Sequence, residues 1–141
     1  MDRIHRQRIA VSAAFIATAL FAAACSRPDV QSLRDSFAQQ VAANHSITDF
    51  KRNGDDLTFS GPGLESDVAK WRVHIDSAVI ESQENAAQPY KGTVKSSWYA
   101  DGRRIEPGAR ESNLPLPLIA NGISQECWAF WEKAGKRWSW E

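Results

Sequence analysis

Trp71-Arg72-Val73-His74-Ile75-Asp76-Ser77-Ala78-Val79 alternates apolar and polar side chains along most of its length. Successive side chains of a strand point to opposite faces, so Trp71, Val73, Ile75, Ser77 and Val79 are expected on one face and Arg72, His74 and Asp76 on the other. The stretch therefore predicts a long strand with one buried side and one wet side. Gly61-Pro62-Gly63 breaks the chain before it.

The same period of two extends to both sides. Upstream, Phe50, Leu57 and Phe59 flank Asn53-Gly54-Asp55-Asp56, whose Asn-Gly step tolerates the positive φ of a tight turn, so a hairpin is predicted over 47–60. Downstream, Tyr90, Val94 and Trp98 alternate with Lys91 and Lys95, and Ala100-Asp101-Gly102-Arg103 turns the chain back towards Ile105. The pair Arg103-Arg104 reads as a solvated hairpin end. A last pair of strands is predicted over Ile123–Trp131 and Arg137–Trp140, with Gly135 supplying the special backbone angle of the loop between them.

Before Ile47 the period is helical. Asp29 is placed to cap a helix running to about Asn44, and Val30, Leu33, Phe37 and Val41 recur at spacings of three and four on one face. The expected fold is α+β, with this N-terminal helix packed on a bent antiparallel sheet of about five or six strands in one domain over 29–141. In the order and length of its elements this arrangement resembles the cystatin-like and NTF2-like architectures. The resemblance implies a fold and carries no function.

The N-terminus reads as an export signal. Arg3, Arg6 and Arg8 precede the apolar run Ile9–Ala24, which falls short of the roughly 20 residues needed to span a bilayer. The run closes on Phe21-Ala22-Ala23-Ala24-Cys25, which resembles the lipobox of bacterial lipoprotein precursors, although Ala22 stands where leucine is most common. The resemblance implies that 1–24 is cleaved, that Cys25 receives diacylglycerol and an acyl chain, and that 25–28 is a lipidated tether. It also implies a place on the periplasmic side of the outer membrane, since Ser26 follows the cysteine where aspartate would favour the inner membrane. The alternative is soluble secretion to the periplasm, because Ala22-Ala23-Ala24 also satisfies the small-x-small cleavage rule.

Charge and motifs restrict the function classes. Residues 25–141 carry 14 basic and 16 acidic residues whose signs alternate along nearly every segment, so nothing in the charge pattern points to a nucleic-acid partner. No phosphate-binding glycine loop, HExxH helix or GxSxG elbow occurs, and His74 with Asp76 lacks the further ligands of a metal site. No catalytic, cofactor-binding or metal-binding residue is assigned, and an enzyme is not expected. With Cys25 consumed by lipid, Cys127 has no partner cysteine and is expected as a buried thiol.

Two features suggest contact with a protein. Leu114-Pro115-Leu116-Pro117-Leu118-Ile119 is held extended by prolines that cannot serve an interior strand, so it either straps an open end of the sheet or forms an apolar ridge for a partner. Trp128 and Trp131, two of six tryptophans, differ by three positions and must face opposite sides of a strand, so one should be exposed, bulged or covered by the helix. Leu114, Leu116, Leu118, Ile119, Trp128 and Trp131 are thus the candidate partner-binding residues. The expected function is that of a non-catalytic, lipid-anchored envelope protein whose domain binds another protein, as an accessory subunit or an inhibitor or immunity-type factor. The alternative is a small-ligand-binding or enzymatic domain with a pocket between helix and sheet, using His74, Asp76 or Tyr99. Cys25→Ser is expected to abolish acyl labelling and release the protein from the membrane fraction; unchanged labelling and fractionation contradict the lipid anchor.

Overall fold

The computed structural model describes residues 27–63, 67–106 and 126–141. Cys25, Leu114, Leu116, Leu118 and Ile119 lie outside these residues, as does Ile123. Helix α1 spans Val30–Ala42 and begins where a carboxylate can satisfy its free donors. Asp29 has extended backbone and accepts the Ser32 N–H at 2.7 Å, while the Ser32 hydroxyl donates back to the Asp29 carbonyl. Leu33, Phe37, Ala38 and Val41 are buried. Val30, expected on the same stripe, is 40 % exposed because it stands in the first turn, at the end of the stripe.

The strands are β1 (Thr48–Asn53), β2 (Asp56–Gly61), β3 (Ala69–Ser82), β4 (Tyr90–Ala100), β5 (Arg103–Arg104), β6 (Glu126–Glu132) and β7 (Arg137–Trp140). They form one antiparallel sheet in the order β1-β2-β3-β4-β6-β7, with β5 beside β4. The domain is α+β and mostly sheet, one helix lying against a curled sheet. The short β5, two residues long, brings the count above the expected five or six.

The long strand expected over 71–79 is present but extends further, over Ala69–Ser82, and its expected faces hold only in part. Ile75 pairs with Ser96 and Ser77 with Lys95, so Asp76 is an extra residue and β3 is bulged there. A bulge bends a strand and shifts its alternation by one. Ala78 and Ile80 therefore take over the helix-facing side, and Val79, expected inside, is 49 % exposed on the outer face. The bend lies where a sheet curling round a helix needs one.

Turn chemistry follows the sequence at two of three places. Gly54 has φ 60° in the β1–β2 turn, and Asp101 and Gly102, at φ 49° and 81°, form a turn with positive φ at both central positions, as the type I′ hairpin requires. In the β6–β7 loop the positive angle belongs to Lys136, at φ 49°, and not to Gly135. In this four-residue loop the left-handed position is the last one before the strand resumes.

The core lies between α1 and the inner face of the sheet. Phe59, Trp71 and Trp98 form one aromatic cluster, with Phe59 and Trp71 stacked at 6.4 Å and Trp98 edge-on to Trp71 at 6.3 Å. Their polar atoms are satisfied: the Trp98 indole N–H donates to the buried Ser96 hydroxyl at 3.0 Å and that of Trp71 to the Pro62 carbonyl at 3.0 Å. Helix and sheet approach closely at Gly92, where a Cβ would stand 2.6 and 2.8 Å from the Leu33 methyls and 3.1 Å from the Trp138 ring. Gly92→Ala is accordingly expected to destabilise the domain by about 1–3 kcal/mol through overpacking, as read by denaturant unfolding. Wild-type stability in that variant would show that α1 can lift from the sheet without cost.

Candidate functional site

Strand parity sorts the candidate residues. Gly92 and Val94 pair with Ala129 and Cys127, which puts Cys127, Ala129 and Trp131 on the helix-facing side of β6 and Glu126, Trp128 and Phe130 on the outer side. Trp128 and Trp131 thus point to opposite faces, Trp128 being 43 % exposed. They do not form one surface. Trp131 packs edge-on against Trp138 at 5.3 Å and belongs to the aromatic lining between β6, β7 and α1.

Around Trp128 the outer face is built across strands. Val79 on β3, Thr93 on β4 and Trp128 on β6 form one cross-strand row. Lys91 places its ammonium 4.0 Å from the centre of the Trp128 ring, and the Trp128 indole N–H donates to Glu126 at 2.8 Å. These two contacts hold a large ring in a defined pose on an exposed surface. Val79 and Trp128 are both exposed large apolar residues, with a cation beside them.

A polar network occupies another part of the same face. His74 lies opposite Asp56 and Ser97, and its Nδ1 is 3.0 Å from Asp56 Oδ1. Arg72 reaches Asp56 at 3.2 Å and lies over the Tyr99 ring at 4.1 Å. The Ser97 hydroxyl donates to Asp76 Oδ2 at 2.7 Å. The His74 hydrogen bond, helped by Arg72, holds the Asp56 carboxyl below its usual range. His74, Asp76 and Tyr99 therefore sit on the face away from α1, which removes them from any pocket between helix and sheet. The Ser97 hydroxyl bonds to the Asp76 carboxylate and not to His74. Among the described residues no group of three His, Cys, Asp or Glu side chains is placed to hold a metal ion.

A cleft of about 710 Å³ does lie between helix and sheet, at α1 and β7, but none of the residues expected for such a pocket lines it. Asp35, Gln39 and Gln40 of the helix line one side, and Trp131, Trp138 and Trp140 the other. The Trp138 and Trp140 indoles donate to Ser32 at 3.2 Å and Ser36 at 2.9 Å, and Phe37 lies against Trp140 at 5.7 Å, so both rings are fixed. Asp35 is engaged by Arg52 at 2.7 Å, which lowers its pKa together with the Gln31 hydrogen bond. The serines at 32 and 36 and the tryptophans at 138 and 140 were the available signal, because both pairs recur at the spacing of their own element.

Cys127 is buried on the inner face, as expected, and is free. Desolvation, with the Glu126 charge, pushes its thiol up to about 11 from 9.0. No helix among the described residues is long and apolar enough to cross a membrane. Comparison of the chain with protein-family models, with curated proteins and with solved structures finds no match.

The raised thiol pKa has a signed consequence. The unfolded chain ionises this group first, so its contribution to stability is complete below about 9 and is lost as pH rises towards 11. Native protein is expected to resist thiol reagents at about pH 8 and to react on unfolding. Wild type should also lose more stability than Cys127→Ala between the two pKa values. Rapid labelling of the native thiol contradicts the burial.

Proposed function

We propose that this is a non-catalytic binding protein of the bacterial envelope, anchored through acylated Cys25 on the periplasmic side of the outer membrane. Its domain engages another protein as an accessory subunit or as an inhibitor or immunity-type factor. The observation that carries the reading is the Val79–Thr93–Trp128 row with Lys91 on the outer face of the sheet. An exposed indole with a fixed pose, bordered by a cation, is the residue type and setting enriched at protein-binding hot spots. A ring held in place also loses little freedom on binding.

The packing of the interior supports the same reading. The space between α1 and the centre of the sheet is taken up by Leu33, Phe37, Val41, Phe59, Trp71 and Trp98, all buried. The tether adds a constraint of place. Arg27 lies over the Tyr90 ring at 5.3 Å, and two residues span at most about 7 Å, so an acyl group on Cys25 would hold the Tyr90 end of β4 close to the bilayer. A protein held this way meets partners that lie in or near the membrane plane.

The test uses the soluble chain from residue 26 as bait against solubilised envelope proteins, with Trp128→Ala and Lys91→Glu beside wild type. Both changes are at the surface and are expected to alter stability by no more than about 1 kcal/mol. A protein captured by wild type should be lost or strongly reduced with each variant. Capture that survives both substitutions removes the outer face as the binding surface.

A further inference from the structure

We infer that the free edge of β7, lying in the cleft beside α1, is a second binding site that takes an extended, acid-bearing peptide segment of another protein as an added strand. The inference rests on the reading of the domain as a protein-binding module, and it concerns a different surface.

Glu141 donates its N–H to the Trp128 carbonyl at 3.1 Å, which marks those two residues as a hydrogen-bonded pair. Such pairs recur at every second position of an antiparallel ladder. Phe130 with Ser139 and Glu132 with Arg137 are then hydrogen-bonded pairs, while Ala129 with Trp140 and Trp131 with Trp138 are not. The N–H and C=O groups of Trp138 and Trp140 consequently point away from β6. Among the described residues β7 is last in the strand order, so these groups meet no described strand. The edge presents a donor and an acceptor, then the same again about 6.8 Å further on. That spacing is matched by the backbone of another strand.

The two ends of the sheet differ in a way that selects this one. β1, at the other end, is bulged between Thr48 and Lys51, has Asp49 at φ 56°, and carries Arg52 tied to Asp35. A bulged, charged edge resists added strands. β7 is regular along its four residues, and its inner side chains Trp138 and Trp140 are fixed by Ser32 and Ser36. The cleft of about 710 Å³ borders this edge, between β7 and the helix. Five of the six indole N–H groups donate to a partner, and that of Trp131, which lines the cleft, makes no hydrogen bond among the described residues.

Charge gives the segment its character. Lys136 and Arg137 line one end of the cleft and form no ion pair among the described residues, whereas Asp35 on the opposite wall is already neutralised by Arg52. An extended peptide with an acidic residue at the Arg137 end complements this arrangement.

The experiment screens displayed random peptides of about eight residues against the full-length protein and examines a selected binder by amide hydrogen exchange. Bound peptide is expected to protect the Trp138 and Trp140 amides at least about tenfold, and methylating alternate peptide nitrogens should weaken binding about a hundredfold in one parity and hardly in the other. Arg137→Glu should weaken it about tenfold. Protection elsewhere, indifference to the parity of methylation, or the absence of any binder overturns the proposal. Protection of Trp138 and Trp140 by self-association without peptide also overturns it, since the occupant is then a second copy. Edge binding that persists in Trp128→Ala, with envelope capture also persisting, counts against the outer-face reading and leaves this one standing.

Discussion

The contact between Leu33 and Gly92 sets the distance on which the rest of the domain depends. One isolated helix of 13 residues is marginal in water and gains its stability from burying its apolar stripe. Here the stripe packs directly on residue 92, whose missing Cβ would otherwise meet both Leu33 methyls and the Trp138 ring. With the helix seated at that depth, Trp138 and Trp140 come within hydrogen-bonding reach of Ser32 and Ser36. The last strand is thereby tied to the first helix across the length of the chain.

Curling the sheet round that helix has consequences for its outer face. Bulging β3 at Asp76 turns Val79 outward, into the row that contains Thr93 and Trp128. The same bulge leaves Asp76 beside the Ser97 hydroxyl and within 4.0 Å of His74. One extra residue thus builds the apolar part of the outer face and orders its polar part. The inner face, by contrast, is used for packing, and the tryptophans divide accordingly. Trp71 and Trp98 are core, Trp138 and Trp140 join helix to strand, and Trp128 stands outside.

Most of the fold could be read from alternation, because hairpins place strands that follow one another in the chain side by side. Asp29 as a cap, the Gly54 and Asp101-Gly102 turns and the inward positions of Trp71, Val73 and Ile75 all follow from local chemistry. The parity change after Ile75 was also present in the sequence, since Ala78 and Ile80 resume the apolar series one step out of phase. It was missed because Val79 continued the original phase equally well. Residue type alone points to Gly135 for the loop angle, whereas the four-residue loop assigns that angle to Lys136 by position. The opposed faces of Trp128 and Trp131 were legible from their spacing. Which of them is exposed was not, because that depends on the pairing of β6 with β4. The cleft and the free edge of β7 depend on strand order, a property no single segment contains.

The central claim is that this domain works through its outer face while its interior is occupied by its own side chains. Oxidative footprinting of the six tryptophans, on purified protein and in intact envelopes, tests it most directly. The account predicts that Trp71 and Trp98 resist oxidation in both settings, and that Trp128 is oxidised readily in the purified protein and becomes protected in the envelope. Equal reactivity of Trp128 in the two settings would contradict it.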